Sequence, residues 1–512
     1  MDSLAPKPGS AEEARAFSRI QANFPDIYKD VFSDPRAART VVVVPSMSLP
    51  ESELAKIPGV IHYEERMLCL LMLLRLPRTQ LVYVTSIPLD PSVVDYYLHL
   101  LPGIPGMHAR RRLKLLAAGD ASLRPLSEKI LSDPRMLAEL KAAIDYPEAA
   151  HMSCFNSSPL ERTLAVQLGI PMYACDPSLA NLGSKSNSRA IFRSVGLDIP
   201  DGFENLRDRG DLIEAIVSLH GRNPETGKVV IKLNEGFSGE GNAIVALDTL
   251  NGTASPRAEA EKLVTREMEF AAPDEHWESY EAKLEEMGGI AEVLIEHEDL
   301  RSPSVQLRID PLGATQLVST HDQVLAGETH QVFLGCTFPA RRSYRRDLHE
   351  AGITVAEALK SHGVLGRFGV DFVSVASDAG WRHYAIEINL RKGGTTLPYL
   401  MLEFLTDGRY DSETGDFYTP TGDKRSYYAT DNLVDEAYRG LSPSELIDAA
   451  VYEDLHYHAT AQEGLVFHLL GAVTDHGKIG MVSIASSRKK ARRQYRKAVA
   501  ALGSYPPLQG YH

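Results

Sequence analysis

Lys232 stands in an apolar run that leads straight into a glycine-rich loop, VVIKLNEGFSGEGNAIV (229–245). A lysine beside closely spaced glycines is a phosphate-binding combination, and its order within the stretch decides which kind. A P-loop places the lysine after the glycines and continues into a helix, but here the residues after Gly241, NAIVAL, read as a strand. A dinucleotide fingerprint also needs a helix after its glycines. A protein-kinase loop joins two strands, yet its lysine lies on a later strand and HRD and DFG motifs follow; neither occurs in this chain. What remains is a β-hairpin with glycine at its tip. Alternation puts Val230 and Lys232 on one face, so the lysine lies beneath the loop. Phosphates held there would meet Lys232 from below and the backbone N–H groups of Ser238–Gly241 from above, where glycine permits close approach. Taken alone, the string equally describes an ordinary hairpin with a bulged turn.

A second constellation lies in YAIEINLRKGGTT (384–396). Strand alternation places Glu387 and Asn389 on one face, with Arg391 continuing the line. GRFGVDFV puts Asp371 on a neighbouring strand. Asp, Glu and Asn oxygens are the donor set for Mg²⁺, which keeps several waters and bridges phosphates. Arg391 and Lys392 beside them suit a phosphate or a developing oxyanion. Solvated edge-strand charges are the plainer explanation. It is weakened because these charges interrupt apolar strands and precede Gly393–Gly394. Candidates for the substrate side are Arg308, His321, Asp322, Gln323, Arg367 and Arg391. SVQLR sets Gln306 and Arg308 on one strand face, and Arg301 with Ser302–Ser304 forms a loop near them. His321 reads equally as a structural histidine at a strand end. His456 and His458 flank one tyrosine, but two ligands with no third are a poor metal site.

The elements that must position these groups divide the chain. Residues 1–17 read as a flexible tail, rich in Pro, Gly, Ser and Ala. From 18 to 180, strands 40–45 and 81–86 flank an apolar helix over 64–76, a strand–helix–strand unit of an open α/β layer with parallel strands. Strands dominate after Val229, at 229–234, 242–247, 291–296, 304–310, 315–320, 369–375 and 384–389. A helix spans 347–362, and Pro311–Gly313 makes a hairpin turn. This mixed region, 181–430, is α+β. Residues 431–512 form a small α+β segment with a short hairpin near 471–484 and a basic terminal helix, read as a solvated face.

The chain has 512 residues and a formal net charge of -14, which argues against nucleic-acid or anionic-membrane partners. Its four cysteines form no CxxC pair and read as reduced thiols. The longest apolar run, 67–74, is far short of the roughly 20 residues a bilayer requires. A cytoplasmic location is therefore expected.

Together the two constellations resemble the ATP-grasp ligases, a family with a lysine-bearing strand, a glycine-rich hairpin lid and an E-x-N motif paired with an upstream acidic residue. The resemblance covers roughly 181–396, preceded by an N-terminal pre-ATP-grasp α/β domain. It implies that Lys185, in SKSNSR, and Lys232 contact ATP. It implies a lid at Gly236, Phe237, Ser238, Gly239, Glu240, Gly241 and Asn242. The strand and turn from Glu292 through Ile295, Glu296 and His297 match the interdomain hinge that reads adenine, with Glu296 the first choice of carboxylate and Glu292 the second. Asp299 sits near the usual ribose carboxylate, with Asp in place of the common Glu. Asp371, Glu387 and Asn389 match the Mg²⁺ ligands, and Arg391, Arg367 and Lys232 the catalytic cations. Longer strings, among them EDLRSPSVQLRIDPLG and EINLRKGGTTLPYLMLEFLTDGRYD, are similar to the pheganomycin-type peptide ligases of natural product biosynthesis.

The resemblance implies a reaction in two steps. A carboxylate attacks the γ-phosphate of ATP to give an acyl phosphate and ADP, and an amine then displaces phosphate. Small molecules or peptides are the expected substrates, with a homodimer an open arrangement. Two alternatives stay open: an ATP-grasp enzyme with a non-amine acceptor, and a nucleotide-binding regulator without ligase activity.

Overall fold

The structure is a computed structural model and describes residues 6–236, 241–272, 274–326, 332–378 and 380–503. Four parallel strands form the N-terminal layer: β1 (Arg39–Val44), β2 (Thr79–Thr85), β3 (Leu113–Ala117) and β4 (Ala150–Cys154), in the order β3-β2-β1-β4. β1, β2 and β4 are buried along their whole length, as in a parallel sheet covered on both faces. The expected helix between β1 and β2 spans Val60–Arg75 and is wound as a 3-10 helix.

The N-terminus corrects one expectation. Residues 11–17 are not a tail but the first half of a helix, Ala11–Ala22. Ser10 caps it, and Glu13 is held by Gly9 N and the Thr163 hydroxyl. Phe17 is buried in the N-terminal core. A Pro/Gly/Ser-rich lead masked these anchors.

The middle of the chain makes a second sheet from β5 (Gly202–Leu206), β6 (Lys228–Leu233), β7 (Asn242–Ala246), β8 (Glu269–Phe270) and β9 (Gly289–Val293), in the order β5-β9-β6-β7-β8. β6 and β7 are the antiparallel hairpin read from the sequence, with Lys232 opposite Asn242. β9 ends at Val293, so Ile295 and Glu296 lie in the connection after it rather than within a strand.

The third sheet has eleven strands. β10 (Leu300–Arg301), β11 (Pro303–Ile309), β12 (Thr315–Ala326), β13 (Val332–Phe338), β14 (Gly366–Ser377) and β15 (Gly380–Asn389) precede the helix Thr396–Thr406. β16 (Arg409–Tyr410), β17 (Phe417–Tyr418), β18 (Lys424–Val434), β19 (Gly464–His468) and β20 (Lys478–Ala485) follow it. The β11–β12 turn is tight, with Gly313 at φ +78° and the Asp310 carboxylate accepting from Leu312 N and Ala314 N, each at 2.9 Å. The helix Arg345–Ser361 packs on β11, where a Cβ on Gly352 would lie 2.8 Å from Val305 Cγ1.

The C-terminal segment is not separate. The expected boundary at 430/431 falls inside β18, and β20 pairs with β18 in the same sheet. The expected short hairpin near 471–484 is β19 and β20 joined through the helical turns Leu470–Ala472 and Val473–His476. Pairing between strands some fifty residues apart leaves no local trace in composition. The terminal basic helix, Arg488–Gly503, buries only Ala491, Ala498 and Leu502. All four cysteines are free and buried. Among the described residues no helix is long and apolar enough to cross a membrane.

Candidate active site

The helix Lys185–Ser194 starts where β6 ends. Asn234 joins the two: its carbonyl accepts from Lys185 N at 3.3 Å and its side-chain oxygen from Ser186 N at 2.9 Å. This places the lysines of two different elements beside one cleft. The hairpin stem is drawn together by its glycines, since a Cβ on Gly241 would lie 3.0 Å from Gly236 Cα. Phe237, Ser238, Gly239 and Glu240, the expected lid tip, lie outside the described residues.

A cavity of about 830 Å³ separates the second and third sheets. Lys185, Lys232, Gly236, Asn242, Glu292, Ile295, Glu296, His297, Asp371, Glu387, Asn389 and Arg391 all border it, as do Asp322 and Gln323. The two sequence constellations, more than a hundred residues apart, therefore face one another.

Both lysines are held by carboxylates. Lys232 Nζ lies 2.7 Å from Glu292 Oε1, and Lys185 Nζ 2.6 Å from Glu387 Oε1. Glu292 also receives Arg189, which reaches Glu204 at 2.7 Å and the Pro200 carbonyl at 2.9 Å. Arg189 was not singled out in the sequence. It lies four residues after Lys185 on the same helix, so helical periodicity marks it as a neighbour of the lysine.

Asp371 and Glu387 are directly opposite on β14 and β15. Asn389 Nδ2 and Gln323 Nε2 donate to the two oxygens of Asp371 at 2.9 and 2.8 Å. Burial, with the Glu387 charge beside it, pushes the Asp371 carboxyl up to about 7. Burial opposes ionisation of Glu387 as well, but Lys185, Arg391 and Lys232 together outweigh it and hold that carboxyl below its ordinary value. Two carboxylates converging in a half-buried place are the arrangement a divalent cation relieves. Their oxygens with that of Asn389 fit Mg²⁺.

Four expected residues stand elsewhere. His321 is buried, its Nε2 2.6 Å from the Tyr427 hydroxyl, and burial depresses it to about 3, so it is a neutral core histidine. Arg308 and Arg367 are cross-strand partners one step beyond Gln306 and Gly369 on the same face. That step carries them past the cavity lining, and Arg308 is spent on Gln316. Asp299 pairs with Arg301 at 3.1 Å outside the lining, whereas Glu298 borders it. Glu296 is exposed at the rim and paired with Lys228 at 2.9 Å. Asp322 is engaged by the Tyr344 hydroxyl at 2.5 Å and by Arg488. His456 and His458 do have a third neighbour, Asp454, but lie outside this cavity. Arg66 also enters the cavity, from the N-terminal domain; it lies in an apolar helix with no motif around it, so nothing in the sequence marks it.

The chain belongs to the ATP-grasp ligases. A family model described as "IQCH-like, ATP-grasp" matches residues 177–271 and 273–413, and one described as "PGM1 C-terminal domain" matches 445–498. The chain is 31% identical over 479 residues to L-propargylglycine–L-glutamate ligase of Streptantibioticus cattleyicolor, covering 91% of this chain and 95% of that protein. It is 22% identical to IQ motif-containing protein H of Danio rerio, covering 75% of this chain and 40% of that one. Among solved structures, the ADP complex of N5-carboxyaminoimidazole ribonucleotide synthetase superposes with a TM-score of 0.51 at 13% identity, covering 90% and 96% of the two chains. Biotin carboxylase from Campylobacter jejuni does so with 0.52 at 14%, covering 91% and 92%. These two likenesses establish the fold.

Proposed function

We propose that this protein is an ATP-dependent ligase that joins the carboxylate of one amino acid to the amine of a second amino acid or short peptide, through an acyl phosphate. The observation that carries this reading is the meeting, in one cavity, of Lys185 and Lys232 with the oxygen set of Asp371, Glu387 and Asn389. The relative that matches along nearly the whole chain is named for two amino acids, which supports the substrate class.

Lys232, beneath the β6–β7 hairpin, and Lys185, at its helix start, offset the phosphate charge. The connection 294–298 and the adjoining carboxylates receive the nucleoside. Asp371, Glu387 and Asn389 would hold Mg²⁺, whose charge would offset that of the phosphate oxygens. Arg391 stands next to that set and balances charge on the acyl phosphate. The hairpin keeps water from it. The donor carboxylate attacks the γ-phosphorus and ADP leaves; the amine then attacks the acyl carbon and phosphate leaves. Holding both reactants in line supplies much of the rate.

Purified protein with Mg²⁺–ATP and a matrix of L-amino acids and dipeptides is expected to release ADP and phosphate only with a productive pair, together with a product of the condensed mass. AMP and pyrophosphate would sink the acyl-phosphate route.

A further inference from the structure

The N-terminal domain contributes a guanidinium to the cavity. Arg66 comes from the helix Val60–Arg75, and its side chain is 12% exposed. Its Cζ lies 4.5 Å from the Tyr63 ring centre and 5.0 Å from that of Phe155, so the guanidinium rests against two aromatic rings. One of its nitrogens contacts the Asp431 carboxylate on β18. Lys478 Nζ lies 4.9 Å from the same Tyr63 ring, so Arg66 and Lys478, two cations, gather around this ring beside the one carboxylate of Asp431. Arg391 is close enough to feel the Arg66 charge as well. A second, independent feature faces the same cavity. The eleven-residue helix Thr396–Thr406 begins there, with Gly393, Gly394 and Thr395 bordering the cavity, and a helix start carries positive partial charge. A Cβ on Gly394 would lie 2.8 Å from Phe333 Cε1, which keeps this corner narrow.

A guanidinium that lies against two aromatic rings beside a helix start suits a planar anion taken through paired N–H donors. We propose that Arg66 and the Gly393–Thr395 turn form a subsite for the free, non-reacting carboxylate of an amino-acid substrate. This rests on the ligase reading above and specifies what the enzyme requires of its substrates: a carboxylate besides the one being activated. The donor and the acceptor amino acid can each supply one, and the test separates them.

L-Glutamate is paired with a panel of L-amino acids under Mg²⁺–ATP. Glutamate is then replaced by glutamine and by isoglutamine, and each acceptor by its carboxamide. In parallel, saturation-transfer NMR reads binding of the same compounds to protein loaded with a non-hydrolysable ATP analogue, so the subsite is read even without turnover. In the wild type, one carboxamide exchange is expected to raise KM, or weaken the NMR signal, about tenfold or more. Whether the donor or the acceptor exchange does so names the substrate held. Arg66→Gln should bind acid and carboxamide alike, and Arg66→Lys should retain part of the preference. Equal binding of every acid and its carboxamide by the wild type overturns the subsite without any substitution. Undiminished discrimination by both variants overturns it too. Absence of ADP release from every pair, with the NMR preference intact, counts against the ligase reading alone, and absence of both signals refutes both.

Discussion

The carboxylate of Glu292 receives two cations, Lys232 and Arg189, in a place where its side chain is 2% exposed. Removing one member of a buried ionic group leaves the others uncompensated, so Glu292→Gln is expected to cost about 3 kcal/mol of stability, read by chemical denaturation; an unchanged midpoint would show the group to be dispensable. Glu387→Ala removes a carboxylate from the proposed Mg²⁺ set. Turnover is expected to fall about a thousandfold with the circular dichroism spectrum unchanged, and surviving activity would refute the metal assignment. Glu64 gives a pH test away from the cavity. Burial raises its carboxyl to about 7, against two hydrogen bonds from Ser86 that favour the charged form. Its folded pKa lies above its unfolded one, so its contribution is complete below the ordinary carboxylate range and is lost as pH rises towards 7. Glu64→Gln should flatten thermal stability across that window, and an identical slope in both proteins would disprove the assignment.

At the scale of elements, the β6–β7 hairpin depends on Gly236 and Gly241, whose backbones nearly touch. Gly241→Val inserts a branched side chain against Gly236 Cα and Leu233. It is expected to cost about 1–3 kcal/mol and to raise KM for ATP while leaving KM for the amino acids unaltered, as steady-state kinetics would show. The hairpin and the E-x-N strand were legible in the sequence because each is a local pattern: alternation, a glycine tip, charges within apolar runs. Asp371 and Glu387 were legible as neighbours for the same reason. His321 was not distinguishable from a ligand, because the Tyr427 that satisfies it lies 106 residues away. Arg308 and Arg367 shared the correct face but not the correct position along it, and alternation reports only the face.

Across the whole molecule, the cavity draws on parts no local pattern connects. Arg66 arrives from the N-terminal layer, and Arg488, at the start of the last helix, holds Asp322 on β12. Arg488→Met should leave ATP affinity intact and weaken the apparent affinity for an amino-acid substrate several-fold, since Asp322 keeps only the Tyr344 hydroxyl and the more distant Arg341. Calorimetric titration with nucleotide beside kinetics with amino acids distinguishes the two, and equal losses in both would argue for general loosening. The fold class was readable from sequence, and so was the likeness of the lysine hairpin and the acidic strand pair to one family's pattern. The approach of the N-terminal layer and the terminal helix to one cavity was not, because it depends on how three sheets pack.

The position of β18 has a practical consequence for protein engineering. It is a shared internal strand, bordered by β13 on one side and β20 on the other. Chimaeras that exchange the last eighty or so residues between relatives to transplant substrate preference would sever it midway. A crossover in the stretch between Val434 and Gly464 instead keeps the strand and its Asp431 with the parent, and exchanges β19, β20 and the terminal helix as one cassette.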